Sequence, residues 1–356
     1  ENPCVVGSIP TLGIIFLQVI STCYFFALFY GTFIYVVRRQ DMRIVFLDRA
    51  TIGDDISLDA FNKLGEVVVY DYSTPEQVRE RVRDADVIVL NKVQVNENTI
   101  GTANKLKLVC VTSTGINNID KKYLETKSIE LRNVAGYSTE AVAQHTFALC
   151  FYLFEHLSYY DSYVKNDKYV NDKQFTHFEK HFNELRDKTW GIIGLGAIGK
   201  RVAQLAECFG CKVQYYSTSG KNHSSDFDEV DFDTLLSTSD IISIHAPLTE
   251  ATNHLIDKVA LSKMKTTAIL INVGRGPIIV EKDLRDALNN NQIAAAGLDV
   301  LEIEPMSEDN PLRQIKDSNK LLITPHIAWA AVEARERLMA IIASQIEEFY
   351  KGNPLV

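Results

Sequence analysis

From residue 42 onward, short β-branched runs alternate with helix-length amphipathic stretches, and this alternation restricts the possible folds more than any other feature. Runs at 44–47, 67–70, 87–90 and 108–112 are separated by stretches of helical pattern such as 75–84. A second series follows at 189–194, 212–216, 241–245, 268–273, 294–299 and 321–324. Apolar strands joined by crossover-length connections predict parallel sheets flanked by helices. The expected fold class is α/β, with two doubly wound parallel-sheet domains. Between the two series a helix is expected over 138–157, then a polar arm over 158–186 that is rich in Tyr, Asp and Lys and has no strong period. A last helix over 331–351 would return the chain to the first domain. The expected division is 42–146 plus 328–356 for the first domain and 147–327 for the second.

The 356 residues suffice for two domains of ordinary size. Lys and Arg number 37 against 46 Asp and Glu, a net charge of −9. No basic excess exists to neutralise phosphates, so no nucleic-acid partner is expected. Six cysteines in a chain this long fit a reducing compartment rather than a disulfide framework. Residues 12–37 form a run of 26 without a charge, followed at once by Arg38 and Arg39. At about 1.5 Å per residue such a run exceeds a bilayer core of about 30 Å. Residues 1–41 therefore read as a membrane anchor with its C-terminal side in the cytoplasm, or as an extension outside the working protein. Either way a cytoplasmic catalytic portion is expected, with a core that does not need residues 1–41.

Gly194-Leu195-Gly196-Ala197-Ile198-Gly199 sits between the run at 189–194 and a helical stretch, inside one strand–helix–strand unit. That context marks a dinucleotide-binding turn and makes the domains Rossmann-like. Gly194 permits the tight turn, Gly196 lets the backbone approach a pyrophosphate, and Gly199 lets helix and strand pack closely. The pyrophosphate would lie on the helix N-terminus, where free N–H groups favour anions. The acid expected at the end of the second strand is replaced by Ser217, followed by Thr218 and, further on, Lys221. Without a carboxylate to select a ribose hydroxyl, NAD(H) and NADP(H) are both permitted.

Three segments lie just past strand ends, at 272–277, 297–305 and 324–330, where open α/β sheets bind ligands. They supply Arg275, the carboxylates Asp299, Glu302 and Glu304, and His326. An Arg can grip a substrate carboxylate with two parallel hydrogen bonds. A His beside a carboxylate can deliver a proton near neutral pH. Hydride transfer to a 2-keto acid needs both. His177 and His181, spaced i, i+4, read as solvated surface, and Cys208 and Cys211 as structural; no metal site is expected.

From residue 42 onward the chain resembles the D-isomer-specific 2-hydroxyacid dehydrogenases. The segments 194–199, 272–276, 297–305 and 324–330 occur in that family's order and spacing. Residues 90–93, 114–120 and 136–145 look most like bacterial hydroxypyruvate reductases, also called glycerate dehydrogenases; Gln144 departs from the Glu of many family members but matches this subgroup. The resemblance implies a site in the cleft between the domains, with Arg275, Glu304 and His326 catalytic. Arg275 would bind the substrate carboxylate and polarise the carbonyl. His326 would be the acid/base and Glu304, rather than Glu302, its partner. Lys92, Gly115, Ile116 and Trp329 would complete the substrate site, Trp329 either walling the pocket or packing between domains. The cofactor would meet Gly194, Gly196, Ala197, Ile198, Gly199, Ser217, Thr218, His245, Pro247, Thr252, Val273, Gly274, Arg275, Asp299 and His326, with Asp299 facing the nicotinamide carboxamide. The implied activity is reduction of hydroxypyruvate or glyoxylate, or oxidation of D-glycerate, by a homodimer. Oxidation of 3-phosphoglycerate, and a cofactor-sensing role like that of the related transcriptional corepressors, are the alternatives.

Overall fold

The computed structural model describes residues 42–352. The apolar run at 12–37 lies outside the described residues, and among those described no helix is long and apolar enough to cross a membrane. Two all-parallel sheets form. The first comprises β1 (Arg43–Phe46), β2 (Glu66–Val69), β3 (Val87–Leu90), β4 (Leu108–Val111) and β5 (Glu130–Asn133), in the order β2-β1-β3-β4-β5. The second comprises β6 (Thr189–Ile193), β7 (Lys212–Tyr216), β8 (Asp228–Glu229), β9 (Ile241–Ile244), β10 (Ile269–Asn272), β11 (Ala295–Leu298) and β12 (Leu321–Ile323), in the order β12-β11-β10-β9-β6-β7-β8.

Central strands are buried on both faces, which is why β3, β4, β9 and β10 read as unbroken apolar or nearly apolar runs. The edge strands β2, β5 and β8 carry charge instead, whereas the edge strand β12 reads Leu-Leu-Ile. β5 reads Glu-Leu-Arg-Asn, and it escapes the sequence pattern for that reason. Each sheet reverses its winding once. The reversal lies between β1 and β3 in the first sheet and between β6 and β9 in the second, and these are the places where such sheets open a crevice for ligands.

The helix expected over 138–157 is Thr139–Phe154, ending where His156 adopts a left-handed φ of 54°. The arm then begins as a further helix, Leu157–Lys165. Its order comes from local ring contacts: Tyr163 stacks on His177 at 3.8 Å, and the Tyr159 hydroxyl lies 2.8 Å from His177 Nε2. His177 and His181 are not on a helix. Within Thr139–Phe154, Ala143, Phe147 and Cys150 pack with Trp190 and Ile192 of the second sheet. The last helix, Val332–Gly352, lays Ala334, Leu338, Met339, Ile342 and Ile346 on Ile44, Phe46 and Val87 of the first. That spacing of one apolar residue every three or four is a single helical face.

Candidate active site

At the end of β6, Gly194 adopts φ +92°, and a Cβ there would come within 2.9 Å of the Ala246 backbone beyond β9. Only glycine fits this turn. A Cβ on Gly196 would meet nothing within 4 Å, so the turn faces open space at the N-terminus of helix Ala197–Cys208. Two buried polar atoms beside it have no partner: Ser217 Oγ past the end of β7, and His245 Nδ1 past the end of β9. Ser243 Oγ accepts the Trp190 indole N–H at 2.8 Å and lies 2.9 Å from His245 Nε2. The arrangement that uses every proton has the Ser243 hydroxyl donating to Nε2. His245 then carries its N–H at Nδ1, where a ligand oxygen can accept it. Burial pushes the His245 pKa down to about 3, which keeps the ring neutral. An open glycine turn, a hydroxyl and an N–H lacking partners, at the reversal of a parallel sheet, fit a dinucleotide.

Pro247 and Thr252 belong to the adjoining loop. The Thr252 hydroxyl donates to the Pro247 carbonyl at 2.7 Å and accepts the Thr249 N–H at 2.8 Å, so it fastens the turn. Val273 and Gly274 follow β10. There the buried Asn272 side chain accepts the Gly274 N–H at 3.0 Å and donates to the Arg275 carbonyl at 2.9 Å. Arg275 Nη1 donates to its neighbour's carbonyl, Gly274 O, at 2.8 Å. Its Nη2 lies so close to Gly115, past β4, that any side chain there would collide with it. Ile116 packs on the core of the first sheet. The cation of one sheet and the glycine loop of the other thus meet face to face.

His326 follows β12 with φ 56° and its backbone N–H shared between the Asp299 and Thr324 carbonyls at 2.8 and 3.0 Å. Its Nδ1 lies 2.7 Å from Glu304 Oε2, while Glu304 Oε1 accepts the Leu301 N–H at 3.0 Å. Burial pushes the Glu304 pKa up, but the His326 hydrogen bond and charge, the Leu301 N–H and the charge of Lys92 outweigh it. The net shift is below the usual glutamate value. Glu302 stands apart, 3.9 Å from His254. Asp299, 1% exposed, accepts the Ile327 and Ala328 N–H groups at 2.9 Å each and the Thr324 hydroxyl at 2.6 Å. His145 Nε2, 3.0 Å from that hydroxyl, continues the chain. Trp329 donates its indole N–H to the His326 carbonyl at 3.0 Å and stands edge-on to Tyr137.

Asp48 and Glu281 support the site with no motif to announce them, whereas Asn272 and Asn118 do so from within the quoted segments. Glu281, buried, accepts the Glu302 N–H and the Asn310 amide at 2.8 Å each, holding the loop that carries Glu304. Asp48 and Asn118 hold the turn that carries Lys92. Among the described residues no three His, Cys, Asp or Glu side chains gather as a metal site. Cys211 is buried and Cys208 is exposed.

Residues 147–328 match the family described as D-isomer specific 2-hydroxyacid dehydrogenase, NAD binding domain. The chain is 37% identical over 321 residues to the hydroxypyruvate reductase of Blautia hydrogenotrophica, covering 88% of this chain and 98% of that one. Two solved structures superpose with a TM-score of 0.76. One is an acyclic imino acid reductase in complex with NADPH and D-Arg, 30% identical, with 88% and 99% of the chains covered. The other is the D-lactate dehydrogenase of Aquifex aeolicus complexed with NAD and lactic acid, 28% identical, with 87% and 96% covered. The chain belongs to the D-isomer specific 2-hydroxyacid dehydrogenase family. It is an NAD(P)-dependent oxidoreductase acting on CH–OH groups.

Proposed function

We propose that the protein reduces hydroxypyruvate to D-glycerate, or glyoxylate to the achiral glycolate, with D-glycerate oxidation as the reverse reaction. The observation that carries this reading is the His326–Glu304 pair beyond the same sheet edge as Arg275, which itself abuts Gly115. When bound, the reduced nicotinamide supplies the hydride. Arg275 grips the substrate carboxylate through its planar fork and polarises the C2 carbonyl. The N–H groups of Gly115 and Ile116 take the other side of the carboxylate. Lys92 receives the substituent on C3, and Trp329 walls the pocket. His326 Nε2 delivers the proton to the C2 oxygen. Glu304, at Nδ1, orients the ring and stabilises the imidazolium as a hydrogen-bonded carboxylate partner of a catalytic histidine. Asp299 has acceptor capacity beyond its three donors for the nicotinamide carboxamide. Similarity to a hydroxypyruvate reductase supports the substrate class.

Ser217 in place of an acid leaves the ribose 2′-position without a repelling charge, so NADH and NADPH are both used. Steady-state rates with each cofactor across glyoxylate, hydroxypyruvate, pyruvate and phosphohydroxypyruvate test this reading. Hydroxypyruvate and glyoxylate are expected to lead, with the two cofactors within about tenfold of each other in kcat/KM. Highest kcat/KM for phosphohydroxypyruvate, or absence of turnover, overturns it.

The proposed domain division is 42–146 with 328–356, and 147–327. Packing of Val332–Gly352 on the first sheet supports it. A second copy of the chain is the proposed occupant of the arm over 157–186. Phe175 and Phe178 there are 88% and 69% exposed. Five acidic and five basic residues balance in this segment while the whole chain carries −9, so two arms can meet without repulsion. Sedimentation of the protein as a monomer at micromolar concentration would refute the dimer.

A further inference from the structure

The winding of the first sheet reverses between β1 and β3, so a crevice opens beyond their C-terminal ends as it does beyond β6 and β9 in the second. In the second sheet that crevice presents the open glycine turn. In the first it is already filled. Asp48, two residues past β1 and buried, sends its carboxylate into the turn that follows β3. Oδ1 accepts the Asn91 N–H at 2.8 Å, and Oδ2 accepts those of Asn91, Lys92 and Val93 at 3.0, 2.6 and 3.1 Å. Three successive amides converging on one carboxylate form an anion-binding nest. The chain supplies the anion itself. From the other side, Asn118 Nδ2 donates to the carbonyls of Asn91 and Val93 at 3.1 and 2.7 Å. Asn118 lies in the same loop as Gly115 and Ile116, so the turn at 91–93 and the glycine loop facing Arg275 are one hydrogen-bonded unit. The Lys92 side chain projects from it exposed, with no hydrogen bond among the described residues. Its charge acts on both Asp48 and Glu304.

We propose that Asp48 is a positioning residue for the substrate: by occupying the nest it fixes the turn at 91–93, and with it the Lys92 ammonium that receives a hydroxyl or anionic substituent on C3 of the 2-keto acid. This rests on the functional reading above. It assigns Asp48 a selective effect on substrates that have a C3 group, and none on the cofactor.

The test compares Asp48→Asn, Lys92→Met and the double variant with wild type, using hydroxypyruvate, which has a C3 hydroxyl, and glyoxylate, which has no C3. Asp48→Asn puts an amide among three donors and loosens the turn. It is expected to raise KM for hydroxypyruvate about tenfold, with most of the loss in KM rather than kcat. KM for glyoxylate and for NADH should change less than about twofold. In the Lys92→Met background Asp48→Asn should add less than about twofold, because residues acting through one another are not additive. Additive effects, an equal rise in KM for glyoxylate, or a parallel rise in KM for NADH overturns the proposal and makes Asp48 merely structural. Should Asp48→Asn fail to melt cooperatively, Asn118→Ala loosens the same turn from its other side and is expected to reproduce the selective rise. An unchanged KM for hydroxypyruvate in Asn118→Ala then overturns the proposal. A wild type that reduces neither acid overturns the functional reading and this one with it, whereas wild-type turnover with additive variants overturns this one alone.

Discussion

His326→Ala is expected to lower kcat for 2-keto acid reduction by about 10²–10⁴-fold, the range that a positioned general acid supplies, while NADH binds with wild-type affinity. Each hydride delivered to a carbonyl carbon requires one proton at its oxygen. Among the groups gathered around Arg275 and Gly115, His326 is the side chain whose ring N–H can hand a proton to that oxygen. Its ring is held at Nδ1 by Glu304, which leaves Nε2 for the substrate. Alanine keeps a Cβ at the same left-handed position, so the backbone strain at φ 56° is unchanged and the comparison isolates the imidazole. Titration of NADH by calorimetry alongside steady-state rates separates the outcomes. If NADH affinity and the melting temperature fall together with kcat, His326 is a structural residue and the assignment fails.

Arg275→Lys should lower kcat/KM for the keto acid by about 10–100-fold and leave KM for NADH nearly unchanged. The substitution keeps the charge and removes the fork. A lysine ammonium makes point contacts, whereas the guanidinium makes two parallel hydrogen bonds to a carboxylate. It is also too compact to stay against Gly115 while hydrogen-bonding the Gly274 carbonyl, as Arg275 does. Both kcat and KM should suffer, since the same group is proposed to anchor the carboxylate and polarise the ketone. Wild-type kcat/KM in the lysine variant would remove Arg275 from substrate recognition.

What could be read in the sequence was whatever local spacing encodes. The Gly194–Gly199 turn and the segments around Arg275, Asp299 and His326 are contiguous, because each is one turn past one strand. Their residues therefore announce themselves side by side. Asp48 and the turn it holds are more than forty positions apart, and they meet only because β1 and β3 are neighbours in the sheet. No periodicity signals such a pair. Glu281 was hidden in the same way, 21 positions from Glu302. Edge strand β5 escapes the pattern because its Glu-Leu-Arg-Asn lacks the apolar run that the edge strands β2 and β12 keep. The premature end of the helix at Phe154 rests on the left-handed turn at His156, which the residue type permits but does not demand.

The distribution of parts between the two sheets has a consequence for how such a protein changes over generations. Arg275, Glu304, His326 and the glycine turn all stand past strands of one sheet, braced by Asn272 on β10, Asp299 past β11 and Glu281 at the start of the helix Glu281–Asn289. Lys92, Gly115 and Ile116 stand past strands of the other, braced by Asp48 and Asn118. On the proposed reading, redox and acid–base parts are thus inherited together, whereas Lys92, proposed to meet the variable end of the substrate, sits in a separately braced unit with the carboxylate-binding loop. Substitutions in that second unit can redirect the protein to a different acid without rebuilding its chemistry, so acceptance of new substrates and loss of turnover need not travel together through mutation.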